Sequence, residues 1–200
     1  MDLFLENVRV SYANGLYKAG SIKGGEPKFG CDFLFTEGSK VFKIVDGKKV
    51  ATTMDAAELE VANDTWKGKG AKMLATLEAS KRAHRSGDLK VSKAGDALPD
   101  YEGLMYLTSK NKAQPRLFNR LGKYLDKDDQ STIYSGCYVN AKVSLYGNSD
   151  AEKKGVFSSL KGVQFLHGGD AFGGGGVASE GDFESLEDGA DAGDFDTSDL

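Results

Sequence analysis

Near both ends of this chain, apolar and polar residues alternate with a period of two, and between them the period lengthens. A period of two sends successive side chains to opposite faces of a sheet. Residues 3–12 (LFLENVRVSY) set Val8, Val10 and Tyr12 against Asn7, Arg9 and Ser11. Residues 28–35 (KFGCDFLF) place Phe29, Cys31, Phe33 and Phe35 on one face. Residues 40–50 predict a third strand, folded at Asp46-Gly47 into a tight hairpin. Residues 103–110 (GLMYLTSK) and 133–146 (IYSGCYVNAKVSLY) also read as strands, and 155–166 ends the folded body.

The middle of the chain predicts helices. The first covers 52–67 and opens with Thr52 three residues before Asp55, a capping signature. Gly68 and Gly70 interrupt it. A second helix is expected over 71–86, with Met73, Leu74 and Leu77 on one stripe. Lys81, Arg82 and Arg85 then fall in its last turn, where the helix dipole favours cations, and Gly87 stops it. Residues 13–27, 88–102 and 121–132 read as loops, the second as an exposed connection. Residues 111–120 form a basic run with Pro115 inside it.

Charge divides the chain in two. Residues 170–200 hold ten acidic residues and no basic one, which leaves residues 1–169 with 26 basic and 20 acidic residues, a net charge of +6. The body should attract a polyanion and the tail repel one. Residues 168–176 are a Gly-rich linker by composition, and 177–200 combine high charge with few core-forming residues, which predicts disorder. Residues 1–167 are expected to form one domain. Cys31 and Cys137 sit in apolar strand-like runs and are expected as buried free thiols in a reducing cytoplasm. With no signal-peptide layout and no apolar run of about 20 residues, a soluble intracellular protein without a membrane partner is expected.

Enzyme signatures are missing. Gly68-Lys69-Gly70 lacks P-loop spacing, the Gly173–Gly176 run neither follows a strand nor opens a helix, and there is no Gly-x-Ser-x-Gly elbow. Two cysteines and two distant histidines make no zinc spacing, so no metal or cofactor is expected. His84, among Lys81, Arg82 and Arg85, is expected to be exposed. The acids at 96, 100 and 102 read as solvated loop residues.

The run 133–146 carries the functional reading. Its odd positions (Ile133, Ser135, Cys137, Val139, Ala141, Val143, Leu145) form a core face. Its even positions show Tyr134, Tyr138 and Tyr146 with Asn140 and Lys142, and no acid. Unpaired bases stack on aromatic rings for about 1–3 kcal/mol each, and phosphates seek Lys or Arg beside them. The same tyrosines could instead cover a second layer or stabilise cross-strand pairs. Tyr106 and Lys110 share a face of 103–110, followed by Lys112, Arg116, Phe118 and Arg120, while the early loop adds Tyr17, Lys18, Lys23 and Lys28. The candidate DNA contacts are therefore Tyr106, Tyr134 and Tyr138 as stackers, Lys110, Lys112, Arg116, Arg120 and Lys142 on phosphates, and Tyr17, Lys28 and Phe118 beside them.

The blocks NVRVSYAN, GGEPKFGCDFLF, GLMYLTSKNKAQPRLF, IYSGCYVNAKVSLYG and KGVFSSLKGVQFLHGGDAFGG, in this order over residues 1–176, resemble a family of tailed-bacteriophage single-stranded DNA-binding proteins. Gly30 departs from the family pattern, which has a small polar residue there. The resemblance implies an OB-fold, a five-stranded Greek-key barrel, elaborated with one or two helices and extra loops and ending in an acidic tail. It also implies a non-enzymatic role in phage replication or recombination, in the cytoplasm of the infected bacterial host. In the tail, Phe183, Leu186, Phe195 and Leu200 punctuate the acids, and Asp194, Phe195 and Asp196 to Leu200 form a candidate handle for replication or recombination proteins. A protein-interaction or virion structural module without DNA binding is the competing reading, and a metal-dependent nuclease a weaker one.

Overall fold

The computed structural model describes residues 1–21, 24–92, 94–126, 129 and 132–172. It is mainly β. Strands β1 (Asp2–Ser11), β2 (Phe29–Phe35), β3 (Lys40–Val45), β4 (Lys48–Thr52), β5 (His84–Ser86), β6 (Met105–Asn111), β7 (Arg116–Phe118), β8 (Tyr138–Asn148) and β9 (Gly155–His167) join one sheet. Its order is β5-β6-β2-β1-β8-β9-β7, with the β3–β4 hairpin attached to β1. The sheet curls until β6 meets β9. There the Ser158 hydroxyl donates to Ser109 Oγ (2.9 Å) and Asn111 Nδ2 donates to the Leu160 carbonyl (2.8 Å). Closure in the order β1-β2-β6-β9-β8-β1 makes the five-stranded OB barrel.

The interior follows from alternation. Leu3, Leu5, Val8, Val10, Phe33, Leu107, Val139, Val143, Leu145 and Leu160 are all at most 1 % exposed. Fully burying each such side chain stabilises the fold by about 1.5–3 kcal/mol. In β1 the buried positions change from odd to even, because the register against β8 slips between Leu5 and Val8 and Asn7 takes a φ of 54°. Such a bulge adds one residue and turns the strand over. The same irregularity lets β1 pair with β3 through Leu3–Glu6 and with β2 through Arg9–Ser11. Tyr12, expected inward with Val8 and Val10, instead leaves the strand at φ 57° and is half exposed.

The hairpin forms as expected, with Asp46 (φ 49°) and Gly47 (φ 76°) supplying the left-handed pair that a two-residue turn demands. Helix α1 (Asn14–Tyr17) is a single turn after β1. Helix α2 (Met54–Thr65) starts one residue later than its signature suggested: Thr53, not Thr52, accepts from the Ala56 amide. Helix α3 (Gly70–Thr76) ends far short of residue 86. The chain beyond it is drawn to the open edge of β6, where His84–Ser86 pair as β5, and His84 is buried rather than exposed. Tertiary pairing overrides local helix preference here. The connection 88–102 is not simply exposed: Tyr101 is 2 % exposed and packs with Leu34 and Tyr106 on the outside of the barrel. Residues 133–137 precede β8 as irregular chain with a turn at Ser135-Gly136, and the basic run 111–120 contains β7, parallel to β9. Both cysteines are buried free thiols.

Gly87 stands where the outer connection closes on the barrel. Its amide donates to the Leu104 carbonyl (2.7 Å), and a Cβ at this position would collide with the backbone oxygen of Tyr101. Gly87→Ala should destabilise the protein by about 1–3 kcal/mol, measured by urea unfolding.

Candidate nucleic-acid interface

In OB-folds the outer face of the second and third barrel strands and the adjoining loops bind oligonucleotides. Here those strands are β2 and β6. Alternation turns Gly30, Asp32 and Leu34 outward opposite Lys110, Thr108 and Tyr106. Cross-strand partners share a face, so the registers extend this surface. Arg85 of β5 lies opposite Tyr106, Arg9 of β1 opposite Leu34, Tyr138 of β8 opposite Arg9, and His167 of β9 opposite Tyr138. One row thus reads Arg85, Tyr106, Leu34, Arg9, Tyr138, His167. The rings of Tyr138 and His167 stack at 4.5 Å, and the Arg9 guanidinium lies 5.7 Å from the Tyr138 ring.

At the centre of this face is a buried carboxylate. Asp32 is 3 % exposed and accepts from Lys90 Nζ (2.7 Å), the Tyr101 hydroxyl (2.9 Å) and the Thr108 hydroxyl (2.6 Å). Three donors offset the cost of taking the charge out of water. Burial and then Asp32 push the Tyr101 phenol far above its ordinary range. Lys90 Nζ also lies 4.9–5.5 Å from the rings of Tyr12, Tyr101 and Tyr106, a cation over aromatic faces. Lys110 is exposed at the surface, yet neighbouring atoms take part of its stem and ammonium out of water, and this first holds its pKa below the ordinary lysine range; Asp32 opposes the shift, while Lys90, Arg85 and Lys28 add to it. Four cations therefore crowd one patch. Gly30 makes room for them, since a Cβ there would lie 2.7 Å from Lys110 Cγ and from the Ser109 carbonyl.

A second aromatic and basic row runs further along the same strands. The registers place Arg116, Gly162, Lys142, Phe4 and Phe42 side by side across β7, β9, β8, β1 and β3. Lys49 Nζ sits 3.3 Å from the Phe4 ring centre. Arg116 donates to the Tyr124 hydroxyl (2.8 Å), and Phe118 stacks on Tyr124 at 4.9 Å. Lys142 lies four steps along β8 from Tyr138, so the two rows lie about 13 Å apart.

The expected contacts thus divide between two rows. Lys28 and Lys110 are exposed on the β2–β6 side, with Lys112 beside them in an ion pair to Glu26 (2.7 Å). Arg116 and Lys142 belong to the second row, while Phe118 lies on the next rung opposite Gln164, whose amide donates to the Arg120 carbonyl (3.4 Å). Tyr106 does point outward, but it is 3 % exposed beneath the 88–102 connection and edge-on to Tyr101, so it offers no ring face to a base. The Tyr17 hydroxyl is committed to the Ile133 carbonyl and amide, and that of Tyr134 to Gly169. Tyr138 keeps its place beside Arg9. Lys23 and the tail residues Phe183, Leu186, Asp194, Phe195, Asp196 and Leu200 lie outside the described residues.

Residues 168–172, at the head of the expected linker, lie against the barrel. Arg9 donates to the Asp170 carbonyl (2.6 Å), Phe172 donates its amide to the Ser135 carbonyl (2.9 Å), and the Arg9 guanidinium covers the Phe172 ring at 4.3 Å. Arg9, Tyr12, Arg85, Lys90, His167, Phe4 and Lys49 were not among the expected contacts. The alternation of β1 already turned Arg9 outward against Val8 and Val10, a signal that could have found it.

The family model described as the Enterobacter phage Enc34 ssDNA-binding protein matches residues 1–195. The chain belongs to this family of phage single-stranded DNA-binding proteins. It is 35 % identical over 190 residues to "Putative protein p50" of Acyrthosiphon pisum secondary endosymbiont phage 1, covering 93 % of this chain and 94 % of that one. Its fold is similar to the single-stranded DNA-binding protein from bacteriophage Enc34, with a TM-score of 0.61 at 19 % identity over 88 % of this chain and 87 % of that one. The same phage protein in complex with ssDNA gives 0.63 at 19 % identity, over 86 % and 89 %. These matches carry the OB-fold of the family.

Asp32→Ala would strand the Lys90 ammonium and two hydroxyls in a buried site. It should cost about 3–5 kcal/mol, read as a lower urea midpoint, with Asp32→Asn milder because the amide oxygen still accepts.

Proposed function

We propose that this chain binds single-stranded DNA without sequence preference, in phage replication or recombination in the cytoplasm of the infected bacterial host. The observation that carries this reading is the crowding of Lys28, Arg85, Lys90 and Lys110 on the OB ligand face. A phosphate backbone laid along β2 and β6 would relieve that repulsion. Half-exposed Tyr12 and the Tyr138–His167 stack offer ring faces beside it. Lys142 and Arg116, in the second row, would hold the strand where it leaves. Sequence tolerance follows, because phosphates and stacking faces are common to all nucleotides. No helix of the described residues is long and apolar enough to cross a membrane.

The acidic residues beyond 176 would compete for the same cations and so discourage weak binding, duplex above all. Their terminal Asp194–Leu200 segment would engage replication or recombination enzymes. The chain's role in this reading is binding, with no catalytic step. A module that binds only proteins would leave oligonucleotides untouched, and a nuclease would degrade them with magnesium.

Titrating a fluorescent dT oligonucleotide at several salt concentrations tests the face. About five phosphate contacts give a slope of about −3.5 for log affinity against log salt. The double variant Lys28→Gln, Lys110→Gln should flatten that slope by about 1.4, at ~0.7 per lost contact. Tyr138→Ala should cost about 1–3 kcal/mol of binding. An unchanged slope and affinity in both would remove the face from consideration. A chain ending at Gly176 should bind duplex DNA more tightly than the full chain, and an equal affinity would refute competition by the tail.

A further inference from the structure

Two carboxylates and an imidazole meet where the start of α2 lies against β5. Asp55 and Glu58 stand three residues apart on the helix, so one turn brings them to the same side. His84 opens β5. The ligand-capable atoms of the three lie within 4.8 Å of one another. The Glu58 side chain is 1 % exposed. Its Oε2 accepts from Arg82, while its buried Oε1 meets no donor among the described residues. A buried carboxylate oxygen left without a partner is costly, and nothing in the DNA-binding reading uses it. His84 is buried as well, and its Nδ1 lies 3.2 Å from Asp55 Oδ1. Asp55 is largely exposed and, with His84, borders an open hollow also lined by Phe35, Thr53, Met54 and Met105, which gives an ion a way in.

We propose that Asp55, Glu58 and His84 form a site for one divalent transition-metal ion of the zinc class. A ring nitrogen among the donors favours such ions over magnesium or calcium, which prefer oxygen ligands alone. Metal–ligand bonds of about 2.0–2.2 Å set tetrahedral donors about 3.4 Å apart, so the three groups must close by at most about 1.4 Å. Asp55 Oδ1 and His84 Nδ1 already stand 3.2 Å apart, so the closure that remains is toward Glu58, and the exposed Asp55 carboxylate is free to turn to it. Arg82 holds Glu58 through the other oxygen and leaves Oε1 to the ion. An imidazole that ligates a metal is neutral, so two carboxylates and one guanidinium leave the cluster a net charge of −1 for the cation to meet. Solvent would fill the fourth position. The bound ion would fasten α2 to the strand that carries Arg85.

Calorimetric titration of the chelator-stripped full chain with zinc sulfate tests this independently of DNA. One zinc per chain is expected, with a thermal midpoint that rises with zinc concentration. His84→Ala and Glu58→Gln should abolish saturable binding, and His167→Ala should leave it intact. Asp55→Asn, whose exposed side chain puts the fold at no risk, should weaken binding about tenfold or more. The absence of saturable zinc binding by the unmodified chain overturns the proposal. So does binding of full affinity in Asp55→Asn, as expected if the acidic tail were the ligand, and so does equal binding of magnesium.

Discussion

The outer side of this barrel depends on one buried negative charge. Asp32 sits in the middle of β2 with both neighbours, Cys31 and Phe33, turned into the core. An unpaired carboxylate there would be intolerable, and the chain answers with Lys90, Tyr101 and Thr108. Two of those three come from the 88–102 connection. That segment is thereby tied to the sheet at a place where it would otherwise have little reason to stay. The tie covers Tyr106 and Leu34, and it delivers Lys90 to the patch that also holds Lys110, Arg85 and Lys28. A single acid thus assembles a cationic surface around itself while staying out of solvent.

Much of the barrel could be read from alternation, because each strand buries one face against the same core. The inward set of β2, the Asp46-Gly47 hairpin and the odd positions of β8 all fall where the period of two puts them. What escaped depended on partners distant in the chain. The stripe of Met73, Leu74 and Leu77 is real for little more than one turn, but nothing near residue 84 reveals the open edge of β6 that captures it. The bulge at Asn7 inverts the phase of β1 midway, so one fixed alternation cannot describe the whole strand.

The candidate site shows the same limit. Alternation gave the direction of Tyr106, Lys110, Tyr138 and Lys142 correctly, because direction is local. It gave no account of cover, because Tyr101 and Lys90 reach Asp32 from 69 and 58 residues away. Lys90 falls in a segment that reads as an exposed connection, and Arg85 in the last turn of an expected helix. Only the β5–β6 pairing turns Arg85 toward the shared face. Arg9, by contrast, could have been found, since it alternates against two valines in the first strand.

The two ends of the sheet are unlike its middle. β5 and β7, which terminate the order, are three residues long, while β8 and β9 at its heart have 11 and 13. Unpaired strand edges are templates on which other chains can add themselves. Copies of a protein lined up along a shared polyanion would meet at very high local concentration, shoulder to shoulder. Ends this short give a neighbour almost nothing to extend, and the outer hairpin strand β4 (Lys48–Thr52) opens with two lysines that discourage pairing, so crowding need not turn into irreversible sheet-to-sheet fusion.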